Sequence, residues 1–375
     1  MAQPHQFGTT RPMDRPNPGR GGGLDALRFL ASLLIVLYHY GTQAPVPLDQ
    51  LHPVFSRGFL ATDFFLILSG YVLGQAYGAQ VLSGRVGTVR FVVKRVTRLW
   101  PGQAIMLLAL AVVVGLSALA GFAPAHPEHF TLRAFWMQLF LVQSLGVPGG
   151  AGWNTPSWSL SALLVCYAIF PLAWRWVSRV RDTVLPTALA LISVLSGDLI
   201  CQMVLGHAIS DLPLHLGMLR AMPLFLLGVC IARTVQQGAP SLRIAKDTAW
   251  ASAAILVVLQ LIGRLDMASI VAIAALVLAW GRLPVRKPSA TIEAAAKLSF
   301  ALFITHTLSG LVWFGLATVV ERSLPASPAI GWTLWALAFP FAMVVAGLFH
   351  RYVDSPLQAL IAPLLATRRI RTVSA

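Results

Sequence analysis

The sequence predicts an all-α integral membrane protein, a bundle of about ten transmembrane helices with both termini in the cytoplasm. Three observations carry that expectation. The chain is 57% hydrophobic and only 11% charged, where a soluble domain carries about 25% charged residues, and its mean hydropathy is +0.74. Its apolar residues gather into runs of about 20, the length a helix needs to cross a bilayer. Its basic residues collect on alternate flanks of those runs, the asymmetry that fixes orientation in a membrane.

The apolar runs lie near 24–41, 58–77, 101–122, 158–174, 185–204, 217–233, 248–263, 267–281, 297–318 and 330–350. A further run, 134–146 ("AFWMQLFLVQSLG"), is short and broken by Gln138 and Gln143, and the glycine-rich "VPGGAGWNTP" follows it. It reads as a re-entrant or interfacial segment with a flexible loop 147–156 behind it. With ten spans and a cytoplasmic N-terminus, 23 of the 28 Lys and Arg residues fall at or near the inner side. Only Arg57, Arg133, Arg220, Arg264 and Arg322 fall outside. Counting 134–146 as a span would invert every later loop and destroy this asymmetry.

Residues 1–23 are rich in Pro, Gly and Arg and lack the apolar core of a signal peptide, so they read as a disordered cytoplasmic tail. Residues 24–358 form the transmembrane domain, and 359–375 a basic cytoplasmic tail. In a soluble protein the net charge of +15 would suggest nucleic acid as a partner. Here the charge flanks apolar runs, so it reads as membrane topology with no nucleic-acid partner. Cys166, Cys201 and Cys230 lie in apolar runs without CxxC spacing, which implies membrane-packed thiols and neither a disulfide nor a metal site.

Ionisable groups inside apolar runs are the candidates for function, because charge in a bilayer is costly and usually marks a site. "LDALRFLASLLIVLYHY" (24–40) carries Arg28 and, eleven residues on, His39. On a helix that spacing returns to within about 20° of the starting face with a rise of roughly 16 Å. A guanidinium at the inner end can grip phosphate and a neutral imidazole deeper in can act as a base, which suits a long phosphate-bearing substrate lying along the helix. The competing reading has Arg28 snorkelling to the interface and the Tyr-His-Tyr in an aromatic belt. Asp63 in the second run needs a partner, and His39 at the outer end of the neighbouring span is available to it. Gly70 and Gly74 have the spacing of a helix-packing pair. Arg95 and Arg98 sit one turn apart at the inner face, as a phosphate clamp requires. Ser157, Ser159 and Ser161 stand at a helix start and read as caps. His306 lies mid-span and reads as a satisfied core histidine or a site residue. Asp354 follows Arg351 closely enough for a local ion pair, and Asp198 has no assignment.

In this order the stretches resemble the acyltransferase-3 family of integral membrane acyltransferases. "GLDALRFLASLLIVLYH" matches the family's Arg/Lys-x10-His first helix, "ATDFFLILSGY" its "GVDLFFVLSGF" second helix, and "RVTRLWP" its "RxxRLYP". "WSLSALLVCYAIFP" matches "WSLSVE..FYLLFP", "SFALFITH" matches "SYSLYLLH", and "DSPL" matches the terminal "ERPL". The resemblance covers residues 23 to about 358. Two positions depart from it: the glutamate of "WSLSVE" falls on Leu163, and the terminal Glu-Arg becomes Asp354-Ser355.

The resemblance implies a membrane-bound O-acyltransferase. Such a protein moves an acyl group, usually acetyl, from cytoplasmic acyl-CoA to a hydroxyl of a cell-envelope or exported carbohydrate, or of a lipid-linked acceptor. It needs no permanently bound cofactor and resides in the inner (cytoplasmic) membrane. Carried onto these motifs, Arg28, Arg95 and Arg98 would hold the phosphates of acyl-CoA. His39, oriented by Asp63, would deprotonate the acceptor or carry the acyl group. Ser69, Trp158, Ser161, Tyr167, His306 and Asp354 are supporting candidates within the same motifs. The rival expectations are a proton-coupled transporter and a degenerate acyl-CoA-binding scaffold. The oligomeric state is not specified by the sequence.

Overall fold

The computed structural model describes residues 22–122, 126–285, 287–325 and 327–365. Most of the expected N-terminal tail, Arg286 and the basic residues after 365 lie outside the described residues. Among the described residues the chain is helical and contains no strand. This is what a bilayer demands, since a spanning segment must satisfy its own backbone hydrogen bonds.

The helices are α1 (Gly23–Gly41), a single turn α2 (Leu48–Leu51), α3 (Leu60–Leu82), α4 (Thr88–Leu119), α5 (Leu132–Leu139) and α6 (Trp158–Arg179). They continue with α7 (Leu185–Leu205), α8 (Gly217–Gln236), α9 (Leu242–Ile262), α10 (Asp266–Arg282), α11 (Ala290–Ser323), α12 (Pro328–Phe349) and α13 (Ser355–Leu365). A five-residue π-turn, His350–Asp354, joins the last two. Among the described residues nine helices are long and apolar enough to cross a membrane. The helix over the expected 267–281 span is α10, which at 17 residues reaches about 25 Å. The 134–146 run forms the eight-residue α5, far too short to cross. Proline opens α7 and α12, where its missing N–H costs nothing. Gly206 and Gly263, both at positive φ, close α7 and α9.

Small residues let the central helices approach to backbone contact. A Cβ on Gly70 of α3 would sit 2.0 Å from the Phe225 carbonyl oxygen of α8, and one on Gly228 of α8 would sit 1.9 Å from that of Ile67. Gly74, the other half of the packing pair, seats against Ala232 and Trp174. Helix–helix packing in lipid relies on such close approach.

Paired contacts give the direction of each helix. Phe59 and Asp63 meet Arg220, Gly70 meets Phe225, and the Gly74 carbonyl accepts from Gln236 Nε2, so α3 and α8 run parallel. Ser32 Oγ donates to the Ser299 carbonyl and the His39 ring meets that of His306, seven residues on in both helices; α1 and α11 are also parallel. Phe91 stacks on Phe170 while Gln103 accepts from Asn154, so α4 and α6 run antiparallel. Arg282, ending α10, donates to the carbonyls of Gly238 and Pro240 ahead of α9, which makes α9 and α10 an antiparallel hairpin. Cys166, Cys201 and Cys230 are buried free thiols.

Candidate active site

The α1 stripe at 28, 32, 35 and 39 faces α11 because Ser32, Ile35 and Val36 are the buried side of that helix. This brings His39 against His306, ring centroids 5.1 Å apart and planes tilted by 30°. His306 is buried, and its Nδ1 lies 2.8 Å from the Phe303 carbonyl oxygen. A carbonyl only accepts, so Nδ1 carries a proton and a neutral His306 keeps its lone pair on Nε2. Tyr40 fastens the pair from the other side, its hydroxyl donating to the His306 carbonyl at 2.8 Å and meeting Ser309 Oγ at 3.0 Å. The His39 nitrogens make no hydrogen bond among the described residues, so this imidazole is free to meet a substrate.

The expectation that Asp63 orients His39 is not met. Asp63 is fully buried, and both of its oxygens are taken by Arg220, at 2.7 Å from Nε and 2.9 Å from Nη2. Arg220 also donates to the Ser210 carbonyl at 2.7 Å and lies over the rings of Phe59 and Trp158. The physical reason is cost. A carboxylate with no solvent demands a full charge partner, and a neutral imidazole cannot supply one. Arg220, read from the sequence as an outside flank, lies within the 217–233 run. That position, beside an unpaired carboxylate in a neighbouring span, was the available signal.

Toward the other end of the bundle, Arg28 forms an ion pair with Asp25 at 3.6 Å. Arg98 and Arg95 share a side of α4 but do not form an open clamp. Arg98 is forked onto Asp354, at 2.6 and 3.3 Å, and lies over the Phe300 ring. Arg95 stacks on Tyr77 at 4.5 Å and near Phe91, with its buried Nε unpartnered. The local Arg351–Asp354 pair expected from the sequence is therefore replaced by a contact 256 residues apart in the chain. The π-turn carries Asp354 inward to 3% exposure, where the forked guanidinium of Arg98 bonds both its oxygens and His350 Nδ1 lies 3.6 Å from one of them. Tyr167 is buried with Ser69 as its side-chain neighbour, and Arg95 and Arg98 are within its electrostatic reach.

The serine cluster at the start of α6 does not cap it. Ser157 Oγ accepts from Gln143 Nε2, Ser159 Oγ donates to the Pro156 carbonyl, and Ser161 Oγ accepts from the Ser144 N–H. Trp158 is held by Ser144 Oγ, which donates to its carbonyl. These serines brace α6 against the loop after α5. The loop 147–156 is likewise pinned, because Gln138 Nε2 donates to the carbonyls of Gly150 and Gly152. Gly152, at φ +118°, admits no side chain, since a Cβ would sit 1.9 Å from the His129 carbonyl oxygen. Asn154 then reaches into the bundle, its Nδ2 donating to Gln103 Oε1 at 3.0 Å and to the Ile304 carbonyl, two residues before His306. Gln103 and Asn154 were not singled out in the sequence, where an amide inside a span carries no periodic signal and an asparagine in a glycine-rich loop is ordinary. No cluster of His, Cys, Asp and Glu that could hold a metal occurs among the described residues.

The acyltransferase domain of the acyltransferase-3 family matches this chain over residues 22–351. The chain belongs to that family. The acyltransferase MdmB of Streptomyces mycarofaciens is 31% identical over 172 residues, which cover 44% of this chain and 42% of that protein. Protein 2 in the picA locus of Rhizobium radiobacter is 29% identical over 196 residues, 48% of this chain and 95% of that protein. The chain thus spans less than half the length of the Streptomyces protein. No solved structure matches the chain. The acyltransferase-3 match takes in Arg28, His39, Arg95, Arg98, Arg220 and His306, and it ends three residues before Asp354.

Proposed function

We propose that this protein transfers an acyl group, acetyl in the simplest case, from cytoplasmic acyl-CoA to a hydroxyl of a cell-envelope or exported carbohydrate or lipid-linked acceptor. The observation that carries the reading is the His39–His306 pair between α1 and α11, with Arg28 toward the other end of α1 and Arg95 and Arg98 on α4. Arg28 stands roughly 16 Å along α1 from His39, a separation suited to an extended thiol arm between a phosphate grip and a reacting thioester. Arg95 and Arg98 add positive charge at that level, and Asp354 competes with phosphate for Arg98.

In the proposed step His39 takes the proton from the acceptor hydroxyl as its oxygen attacks the thioester carbonyl. The new C–O bond forms, the C–S bond breaks, and the CoA thiolate leaves and recovers the proton from the imidazolium. His306, with its tautomer fixed by the Phe303 carbonyl, offers Nε2 beside that imidazolium. Asp63 acts at a distance, by holding Arg220 and through it the Trp158 face.

The parities support ten spans with both termini in the cytoplasm. Parallel α1 and α11 require an odd number of crossings between them; α3, α4, α6, α7, α8, α9 and α10 make seven, which includes α10 and leaves out α5. The positive-inside asymmetry then puts the Arg95 and Arg98 end in the cytoplasm, as expected for an inner (cytoplasmic) membrane protein.

The test is His39→Ala in purified full-length protein. Thiol release from acetyl-CoA in the presence of envelope glycans should fall 10²–10⁴-fold, the usual loss for a positioned base, with coenzyme A binding unchanged. Full transfer by the folded variant would end the assignment.

A further inference from the structure

Asp198 and Arg57 have no part in the chemistry above, yet both border cavities. At the end of the bundle where α3 begins, a cavity of about 480 Å³ is lined by Asp198, Gln202, Ser210, Arg264 and Asp266, with Arg57 in its wall. On the other side of Arg57 an apolar groove of about 150 Å³ runs between α1, α3, α9 and α10, lined by Leu34, Ala61, Phe64, Leu256 and Ile273. Leu34 is 44% exposed, so the groove opens toward the surface that faces lipid. Arg57 also borders this groove. It is buried and fully engaged, by Asp266 at 2.7 Å, Ser269 at 3.1 Å and Gln260 at 3.3 Å. It therefore forms the threshold between a polar chamber and an apolar channel and is not available to bind an anion.

The polar chamber carries two arginines and two carboxylates, and so no net charge. Its carboxylates are held open by donors, with Asp198 accepting from the Ile209 N–H at 2.8 Å and from Gln202 Nε2 at 2.6 Å, and Asp266 accepting from Ser210 Oγ at 3.0 Å. Each carboxylate oxygen keeps a lone pair for a further donor. Arg57 and Arg264 balance Asp198 and Asp266, so no net charge draws a phosphate, whereas hydroxyl groups would find acceptors.

We infer that the chamber and the groove together bind a membrane-anchored amphiphile with an uncharged, polyhydroxylated head, of the neutral glycolipid class. The head lies in the chamber with Asp198 and Asp266 accepting from its hydroxyls. One alkyl chain passes Arg57 and lies along the groove beside Leu34. As the acceptor of the transfer reaction this ligand rests on the acyl-transfer reading; as a bound lipid it does not.

The test is retention of lipids by the purified full-length protein from mixed nanodiscs, counted by native mass spectrometry without acyl-CoA. The probes are a dihexosyl diacylglycerol and a phosphatidylglycerol with the same chains. The wild type should retain the dihexosyl lipid in preference. Gln202→Leu, at the chamber wall, and Leu34→Trp, filling the groove from an exposed position, should each cut that retention about tenfold, the effect of one hydrogen bond or about two buried methylenes. Phosphatidylglycerol retained equally well, or both folded variants retaining the dihexosyl lipid as the wild type does, would overturn the site. Thiol release from acetyl-CoA in the same nanodiscs separates the two readings. Intact lipid retention without acyl transfer counts against catalysis alone, and intact transfer without retention counts against this site alone.

Discussion

His39 and Asp63 lie in neighbouring spans near the same end of the bundle, yet each has a different partner. His39 meets the ring of His306, and Asp63 is locked to Arg220. The difference follows from charge. The imidazole can stay neutral in the interior, while the carboxylate with no exposed surface needs a cation with two donors. Asp63 is thus a positioning residue whose loss should act through the fold. Asp63→Ala leaves the Arg220 charge buried and unpaired, a loss of about 3–5 kcal/mol, and thermal unfolding of the purified protein should show it. Replacing both, as Asp63→Leu with Arg220→Met, should recover much of that stability. Recovery of stability without recovery of acyl transfer would mean that the Asp63–Arg220 pair also serves the site, through the Trp158 face it holds.

Between elements, the α3–α8 contact leaves no room for a methyl group at Gly70 or Gly228. Gly70→Ala should therefore destabilise the protein by about 1–3 kcal/mol, the cost of overpacking a close contact, measured as a lower unfolding temperature in detergent. Gly347, whose added Cβ would meet nothing, is the control, and Gly347→Ala should leave that temperature unchanged or higher. A second contact between elements joins α4 to the π-turn before α13 through Arg98 and Asp354. If phosphate and Asp354 compete for one guanidinium, Asp354→Asn should lower the KM for acetyl-CoA, and Arg98→Ala should raise it with kcat nearly constant. Equal KM values in all three proteins would reduce this pair to a structural tie.

For the whole molecule, the prediction concerns sidedness. In intact cells an impermeant thiol reagent should label Glu128→Cys, His207→Cys and Arg264→Cys. It should not label Thr88→Cys, Leu242→Cys or Lys287→Cys. The three native thiols are buried and give a low background. Arg264 and Lys287 flank α10, the 17-residue helix. Labelling of both would make α10 a buried hairpin arm that does not cross, and every later helix would reverse direction.

The sequence by itself determined the class, the helices and the family. Each rests on local signals: runs of apolar residues, charge at their flanks, and ordered motifs that survive without any knowledge of packing. It also marked Arg28, His39, Asp63 and His306, because an ionisable group in an apolar run stands out residue by residue, and Arg95 and Arg98 by their one-turn spacing in a basic flank. What only the tertiary structure decided is who meets whom. His39 could have faced Asp63 from its place along the chain, and the rotation of α1 turned it to His306. Asp354 could have bonded its near neighbour Arg351, and the π-turn delivered it to Arg98. The serines of "WSLS" had the look of caps, and the fold spent them as braces for a loop. Pairing depends on helix rotation and on neighbours far apart in the chain. In a bilayer, a buried charge goes to whichever partner can neutralise it most fully, wherever in the chain that partner lies.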